Sequence, residues 1–433
     1  MTTTTATFTF KDILASFDSL IAEDKNTREK SLNNLEQVGF PLSKSEEYKF
    51  TPITKLLEKK IKWDHAIAPS TLSSVEPFLI EGLEANLIVL INGKYSTALS
   101  KINQLEKDVV ITSFADASSS AKAKIETHLG SVDKSKDSFA LLNAAFYQEG
   151  IFIYVPENTI VQKPLLILHI NDANDKQVIA HTKLLAIVEK GSRISIVEKS
   201  DSMGQQSCLH TFTEEIIVKE NAEFDYCKIQ NDHGQIHQIS NTTISQLNAS
   251  KVNTFTLTMD GQLIRNNLTI LINGEQCESH FNGLYLLNGN TLADNHTVVD
   301  HQKPNSFSNE LYKGIMDGNS KGVFNGKIYV RPHAQKTNAF QSNRNILMSE
   351  TASINTKPQL EIWADDVKCS HGCTIGQLDE EALFYLQARG IPHQSAKAML
   401  LYAFALDVLT SIKNETLKAY LDQLISERLH KNF

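Results

Sequence analysis

The feature that most limits how this chain can fold is a stretch from Ile151 to about Gly376 in which short β-rich runs follow one another with no convincing amphipathic helix between them. Examples are "IFIYVPENTIV", "LLAIVEKGSRISIVEKS", "EEIIVKENAEFDYCKI" and "LTILINGEQCESHFNG". The runs share a design: an apolar strand, a turn closing on Gly or Ala, then an alternating strand. Gly191, Ala222, Ala249, Gly274, Ala334 and Ala352 occupy that small-residue corner, at drifting intervals such as 249 − 222 = 27 and 352 − 334 = 18. Units of about 18 to 31 residues are too small to bury their own apolar faces, so they are expected to stack as a solenoid. A β-helix is the natural form. An antiparallel sandwich is the competing arrangement, because strand spacing alone does not separate the two. The solenoid is preferred because a sandwich of this length is expected to be joined by two-residue Asn-Gly hairpins, on which the run is not built.

The flanks differ in pattern. Ile13, Leu14, Phe17, Leu20 and Ile21 recur at helical spacing, and a second stretch around Leu32 and Leu35 stops at Gly39. "GFPLSKSEEYKFTPITKLL" reads as an exposed connection, "ANLIVLING" and "DVVITSF" as strands, and "DSFALLNAAFYQEG" as a helix closed by Gly150. Beyond the solenoid, "LDEEALFYLQARG" has Asp379 as its N-cap and Gly390 past its end. "SAKAMLLYAFALDVL" is apolar around most of its circumference, and Asn414 caps a helix carrying Leu417, Tyr420, Leu421, Leu424 and Ile425 on one stripe. The chain thus divides into an α/β segment over 1–150, a parallel β-helix core over 151–376 and a helical domain over 377–433. That helical tail is expected either to cap the open end of the β-stack or to dock another subunit.

Charge and cysteine usage narrow the partners. A formal net charge of −8 and a pI near 6.0 supply no basic field for a phosphate backbone, so nucleic acid is not expected. The start "MTTTTATFTFKDILASFDSL" lacks the basic and apolar regions of a secretory signal, and no apolar run approaches a membrane span, so a cytoplasmic protein is expected. Five cysteines, of which only Cys369 and Cys373 are close in sequence, suit free thiols in a reducing compartment.

Those two lie in "ADDVKCSHGCTIG". On a strand, Cys369, His371 and Cys373 share one face, with side-chain origins about 6.5 to 7 Å apart. Thiolate and imidazole donors suit iron, zinc or copper. Three donors along one strand cannot converge on a single ion whose bonds are about 2.0 to 2.3 Å long, so a second element, from this chain or another, must contribute. Interior packing is the plainer explanation of the same residues. Asp365 and Asp366, being adjacent, face opposite ways and read as a solvated turn rather than an acid and base pair. His233 and His237 sit in β-rich sequence and are not a helical zinc pair, and "DGNSKG" lacks the signature of a phosphate loop.

The stretch from "KGVFNGKIYVRPHAQKTNAFQSNRNIL" through "TKPQLEIWADDVKCSHGCTIGQLDEEALFYLQARGI" resembles the signature region of the SufB/SufD family of iron-sulfur cluster assembly proteins. "SEEYKFTPI" and "FALLNAAFYQEGIFIYVPENT" are also similar to the family. "TKPQLEIWADDVKCSHGCTIG" matches the SufD type, and Asn343 stands where the SufB type carries a sulfur-accepting cysteine. The resemblance implies a right-handed parallel β-helix with helical termini and a non-catalytic subunit of an ATP-driven assembly complex. It implies a SufB-like partner and a SufC-like ATPase bound through the C-terminal helices; an unsatisfied sheet edge at that junction would also allow a homodimer when the chain is alone. Iron or a transient iron-sulfur cluster would be handled at the partner interface, with no cofactor held permanently. His371 matches the family's functional histidine and Cys369 the neighbouring cysteine. Cys373 replaces the usual alanine, and the resemblance assigns it no duty. A purely structural subunit, and more remotely a β-helical hydrolase, are the alternatives.

Overall fold

The computed structural model describes Ile13 and residues 25–42, 44–63, 70–103, 105–132 and 136–433. From Glu149 to Gly376 the chain is strand and turn only, and consecutive strands alternate between two sheets, one of ten strands and one of nine. Within each sheet, strands two apart in sequence pair in parallel, which is a β-solenoid of about eight turns. The sandwich is excluded, because it needs antiparallel neighbours. Asn-Gly pairs do occur in the stretch, but none makes a hairpin. Asn273–Gly274 and Asn288–Gly289 turn corners between the two sheets, while Asn282–Gly283 and Asn325–Gly326 lie within strands.

The register explains the drifting repeat. Arg193, Glu223, Lys251, Glu278, Phe307, Asn338 and Lys368 stack on one another, so successive turns are 27 to 31 residues long (278 − 251 = 27, 338 − 307 = 31). The corner just before these positions carries Gly191, Asn221, Ala249, Gln276, Asn305 and Lys336, all at positive φ. Backbone bonds join the corners along the axis, as from Asn221 N to Asn248 O at 2.9 Å and from Ala249 N to Glu275 O at 2.8 Å. Ala352 belongs to the opposite corner, after the strand Asn338–Leu347, so the interval of 18 from Ala334 is half a turn and not a short repeat.

Inside the coil, Ile194, Phe224 and Val252 stack in one column and Ile196 and Tyr226 in the next, within one apolar core. The outer face of the ten-stranded sheet is equally apolar, with Val89, Leu168, Ile229, Leu257 and Leu286, and the C-terminal helices cover it with Leu401, Leu417, Leu421, Ile425 and Leu429. The tail therefore lies along the side of the solenoid. It does not cap the end, because the apolar stripe of the helix Glu415–Asn432 matches a flat sheet face. Asp379 and Asn414 cap their helices as expected, accepting from Ala382 N at 3.0 Å and Leu417 N at 2.9 Å.

The N-terminal part departs from expectation in two places. Leu14, Phe17, Leu20 and Ile21 lie outside the described residues, while the helix Lys25–Val38 ends at Gly39 as its sequence indicates, with Gly39 N bonded to Leu35 O at 2.7 Å. "SEEYKFTPITKLL" is not merely an exposed connection, since it forms a 3₁₀ turn and the helix Ile53–Lys60 and buries Tyr48, Ile53 and Leu57. Gly150 does not close a helix. It sits in the strand Glu149–Val155, where a Cβ would collide with the Phe114 ring. Among the described residues no helix is long and apolar enough to cross a membrane.

Candidate functional site

The solenoid ends on two strands, Ser353–Ile362 in the nine-stranded sheet and Lys368–Gly376 in the ten-stranded sheet, each paired on one side only. Both last strands therefore present an open row of backbone donors and acceptors at the same end of the molecule. Exposed apolar groups cluster there: Ile375 is 51% and Trp363 48% exposed. Trp363 stacks on Tyr329 with ring centroids 6.1 Å apart, and Arg331 lies over both rings while also holding Asp300 through two hydrogen bonds of 2.7 and 2.8 Å.

"KCSHGCTIG" is the terminal strand, as the alternation of its donors requires. The parallel register fixes the face. Cys369 pairs with Ala339, His371 with Gln341 and Cys373 with Asn343, all three of which are buried. The donors thus continue interior-facing columns of the coil, but beyond them there is no further turn, so His371 and Cys373 are exposed and Cys369 is half-buried against the core. Partial burial pushes the Cys369 thiol above the usual cysteine range. Among the described residues no three His, Cys, Asp or Glu side chains converge as a metal cage. The strand offers its donors in a row along one face.

The layer beneath is polar and ordered. Asn343 donates to the Tyr285 hydroxyl at 3.0 Å and Tyr312 O at 3.2 Å, and its own carbonyl accepts from Asn345 at 2.7 Å. Gln341 Nε2 donates to Glu310 Oε2 at 2.7 Å. Burial drives the Glu310 carboxyl up to about 7, against hydrogen bonds from Thr297 and Gln341.

The other histidines and acids singled out in the sequence do not join this site. Asp365 and Asp366 form the exposed turn before the strand, with Asp366 O accepting from Lys336 N at 2.6 Å. His233 is a surface partner of Asp260 at 2.8 Å, whereas His237 is buried with Nδ1 near Cys208 O at 3.1 Å. "DGNSKG" is a corner turn followed by a strand. What sequence reading missed is an ionisable cluster inside the coil. Lys228 bonds Glu214 at 2.7 Å, Tyr226 donates to Glu198 and to Glu214, and His169 lies 2.9 Å from Glu198. Burial and the neighbouring Glu198 charge hold Glu214 up to about 7. Glu198 is held low despite its burial by Lys228 and His169. The signal was present in "ISIVEKS" and "TFTEEIIV", acids placed where the alternation points inward, and it becomes readable only once the two-sheet register is known.

Comparison with known proteins decides the family. Residues 169–404 match the model described as "SUF system FeS cluster assembly, SufBD core domain", and residues 13–167 match "SufBD protein N-terminal region". The chain belongs to the SufBD family. An iron-sulfur cluster assembly SufBD family protein of Synechocystis is 31% identical over 412 residues, covering 93% of this chain and 90% of that one. The iron-sulfur cluster assembly protein SufD of Escherichia coli is 29% identical, covering 93% and 92%, and SufD of Bacillus subtilis 25% identical, covering 94% of each. Membership of the SufBD family assigns this chain a part in iron-sulfur cluster assembly.

Proposed function

We propose that this chain is a SufD-like subunit of an assembly complex, pairing with a SufB-like subunit through the open end of its solenoid and with a SufC-like ATPase through its C-terminal helices. The observation that carries the reading is the pair of half-paired terminal strands with His371 exposed on one of them. A partner strand added to such an edge gains main-chain hydrogen bonds and brings its own side chains opposite His371. Iron, or the nascent cluster, is the cargo. His371 offers a ring nitrogen to it and Cys369 a neighbouring thiolate, while the partner supplies the remaining donors. Nothing in the chain is asked to catalyse bond chemistry. Its part is to hold the junction and, when the ATPase subunits move, to carry that motion through the helical layer.

The helical surface is suited to docking. Phe384 is 72% exposed and Tyr385 is also uncovered on the helix Glu380–Ala388, which has no buried residue, and Met399 is uncovered on the helix His393–Ala405, whose Leu401 and Ala405 pack into the layer over the sheet. All five cysteines are free, which suits a reducing cytoplasm.

A purely structural subunit is the second reading, and the half-buried position of Cys369 against the core favours it for that residue. The test is to assemble the three-protein complex without oxygen, with His371→Ala and Cys369→Ala in turn. Loss of cluster formation with the complex intact supports a ligand role; undiminished formation leaves only the structural one. Failure to co-purify a stable assembly would undermine the partnership itself.

A further inference from the structure

Metal-binding histidines ordinarily donate their second ring N–H to a fixed acceptor, which sets the tautomer and aims the ligating nitrogen. His371 needs such an acceptor if it is to be more than a mobile surface ring. The column beneath it contains one. In the parallel ladder Glu310, Gln341 and His371 occupy successive turns on the same face, about 4.8 Å apart from strand to strand. Gln341 is 2% exposed, and its Nε2 is committed downward to Glu310 at 2.7 Å. The amide cannot turn over without giving up that bond, so its carbonyl oxygen faces away from Glu310. That oxygen is buried and has no partner among the described atoms. Gly326 leaves the space that the amide fills, for a Cβ there would collide with the Gln341 amide. A buried orphan acceptor costs about 1–3 kcal/mol, so a donor within reach is expected to be recruited. The register neighbour on the open side is His371, whose exposed ring carries an N–H donor.

We infer that Gln341 is a positioning residue for His371: its carbonyl oxygen accepts the inward ring N–H, fixes the tautomer, and turns the other ring nitrogen toward the seam. Glu310 holds the amide in that sense, and Gly326 provides the room. This deepens the ligand reading of His371 but does not depend on it for its test.

The test uses the full chain labelled with ¹⁵N-histidine at a pH where imidazole is neutral, with the His371 resonances assigned by their loss in His371→Gln. Two-bond ¹H–¹⁵N spectra report the tautomer directly. The expected result is one tautomer at His371 in the natural chain. Gln341→Met, which keeps length but removes the acceptor, gives a mixture, and Gln341→Glu restores the single form. A tautomer mixture in the natural chain overturns the inference without any variant, and so does an unchanged single tautomer in Gln341→Met. Within the assembled complex, Gln341→Met is further expected to weaken iron retention about tenfold. A fixed tautomer in a chain whose His371→Ala variant still assembles clusters would leave this hydrogen bond standing and remove the ligand role.

Discussion

His371 pairs in register with Gln341, and Gln341 with Glu310, so an exposed imidazole on the last strand is the continuation of a buried column. The candidate ligand is thus an interior residue of a coil that lacks its next turn. This explains how one strand can hold interior-type donors and still meet another molecule. In the proposed assembly the partner's strands would take the place of the missing turn.

If a partner completes the coil, a charge placed on the open face should block pairing without unfolding the chain. Ile375→Asp alters a side chain already half in water, so the unfolding free energy from urea titration should shift by less than about 0.5 kcal/mol. Retention of a SufB-like partner on size exclusion should fall at least tenfold. Equal retention would place the junction elsewhere.

The thiols should separate by position. Cys373 is exposed and Cys369 half-buried, while Cys208, Cys227 and Cys277 are buried, and burial raises each of those three above the usual thiol range. A disulfide-exchange reagent added to the native chain should therefore modify Cys373 first and Cys369 more slowly, leaving three thiols until denaturant is added. Rapid loss of all five would contradict the interior assignment. Two equally fast thiols would make Cys369 more available than its packing against the core allows.

The corner ladder makes a stability prediction. Ala249 sits at φ 55°, where its Cβ is strained, and the equivalent place one turn earlier is taken by Asn221 at φ 55°. Ala249→Asn should stabilise the chain by roughly 0.5–1 kcal/mol, since asparagine tolerates the left-handed region without the entropy cost of glycine. Ala249→Val should destabilise by about 1–2 kcal/mol. Urea unfolding of the two variants beside the natural chain measures both.

Much of this architecture is legible in residue order, and the limits have physical causes. A two-sheet coil needs only alternation and a small corner residue, so "EKGS", "ENAE" and "NASK" announce the turn even though its length drifts. The corner residue itself is less informative. Asn221, Gln276, Asn305 and Lys336 reach the same positive φ as Gly191, and Asn221, Asn305 and Lys336 are pinned there by bonds from their N–H groups to carbonyls of the next corner. The terminal donors are likewise readable as one face of a strand. Their openness is not, because exposure depends on where the ladder stops and on the helical tail lying along the side. The Gln341 and Glu310 column is invisible for a related reason: it joins residues 31 apart, a separation set by one irregular turn.

Buried acids inside the coil give a pH dependence with a defined sign. Asp232 is fully buried, bonded by Asn171 Nδ2 at 3.0 Å, with Oδ2 unpartnered among the described atoms. Burial, with the Asp201 charge adding to it, drives its carboxyl up to about 7, opposed by Asn171, His233 and Lys199. The folded chain therefore holds this proton more tightly than the unfolded chain, whose aspartate titrates near 4. For a raised value, the stabilising contribution is complete below the unfolded value and is lost as pH climbs through the folded one. Asp232→Asn keeps the acceptor for Asn171 and removes the titration. The natural chain and the variant should thus have similar unfolding free energies near pH 4. The natural chain should fall behind progressively up to pH 8, by an amount on the order of 3 kcal/mol. The comparison subtracts the opposite trend from His210 and His301, whose burial holds both below the usual imidazole range and which lose stability as pH falls. Urea titrations of both proteins at four pH values between 4 and 8 make the measurement. Parallel curves would mean that the Asp232 carboxyl is solvated, and that the coil interior admits water at this turn.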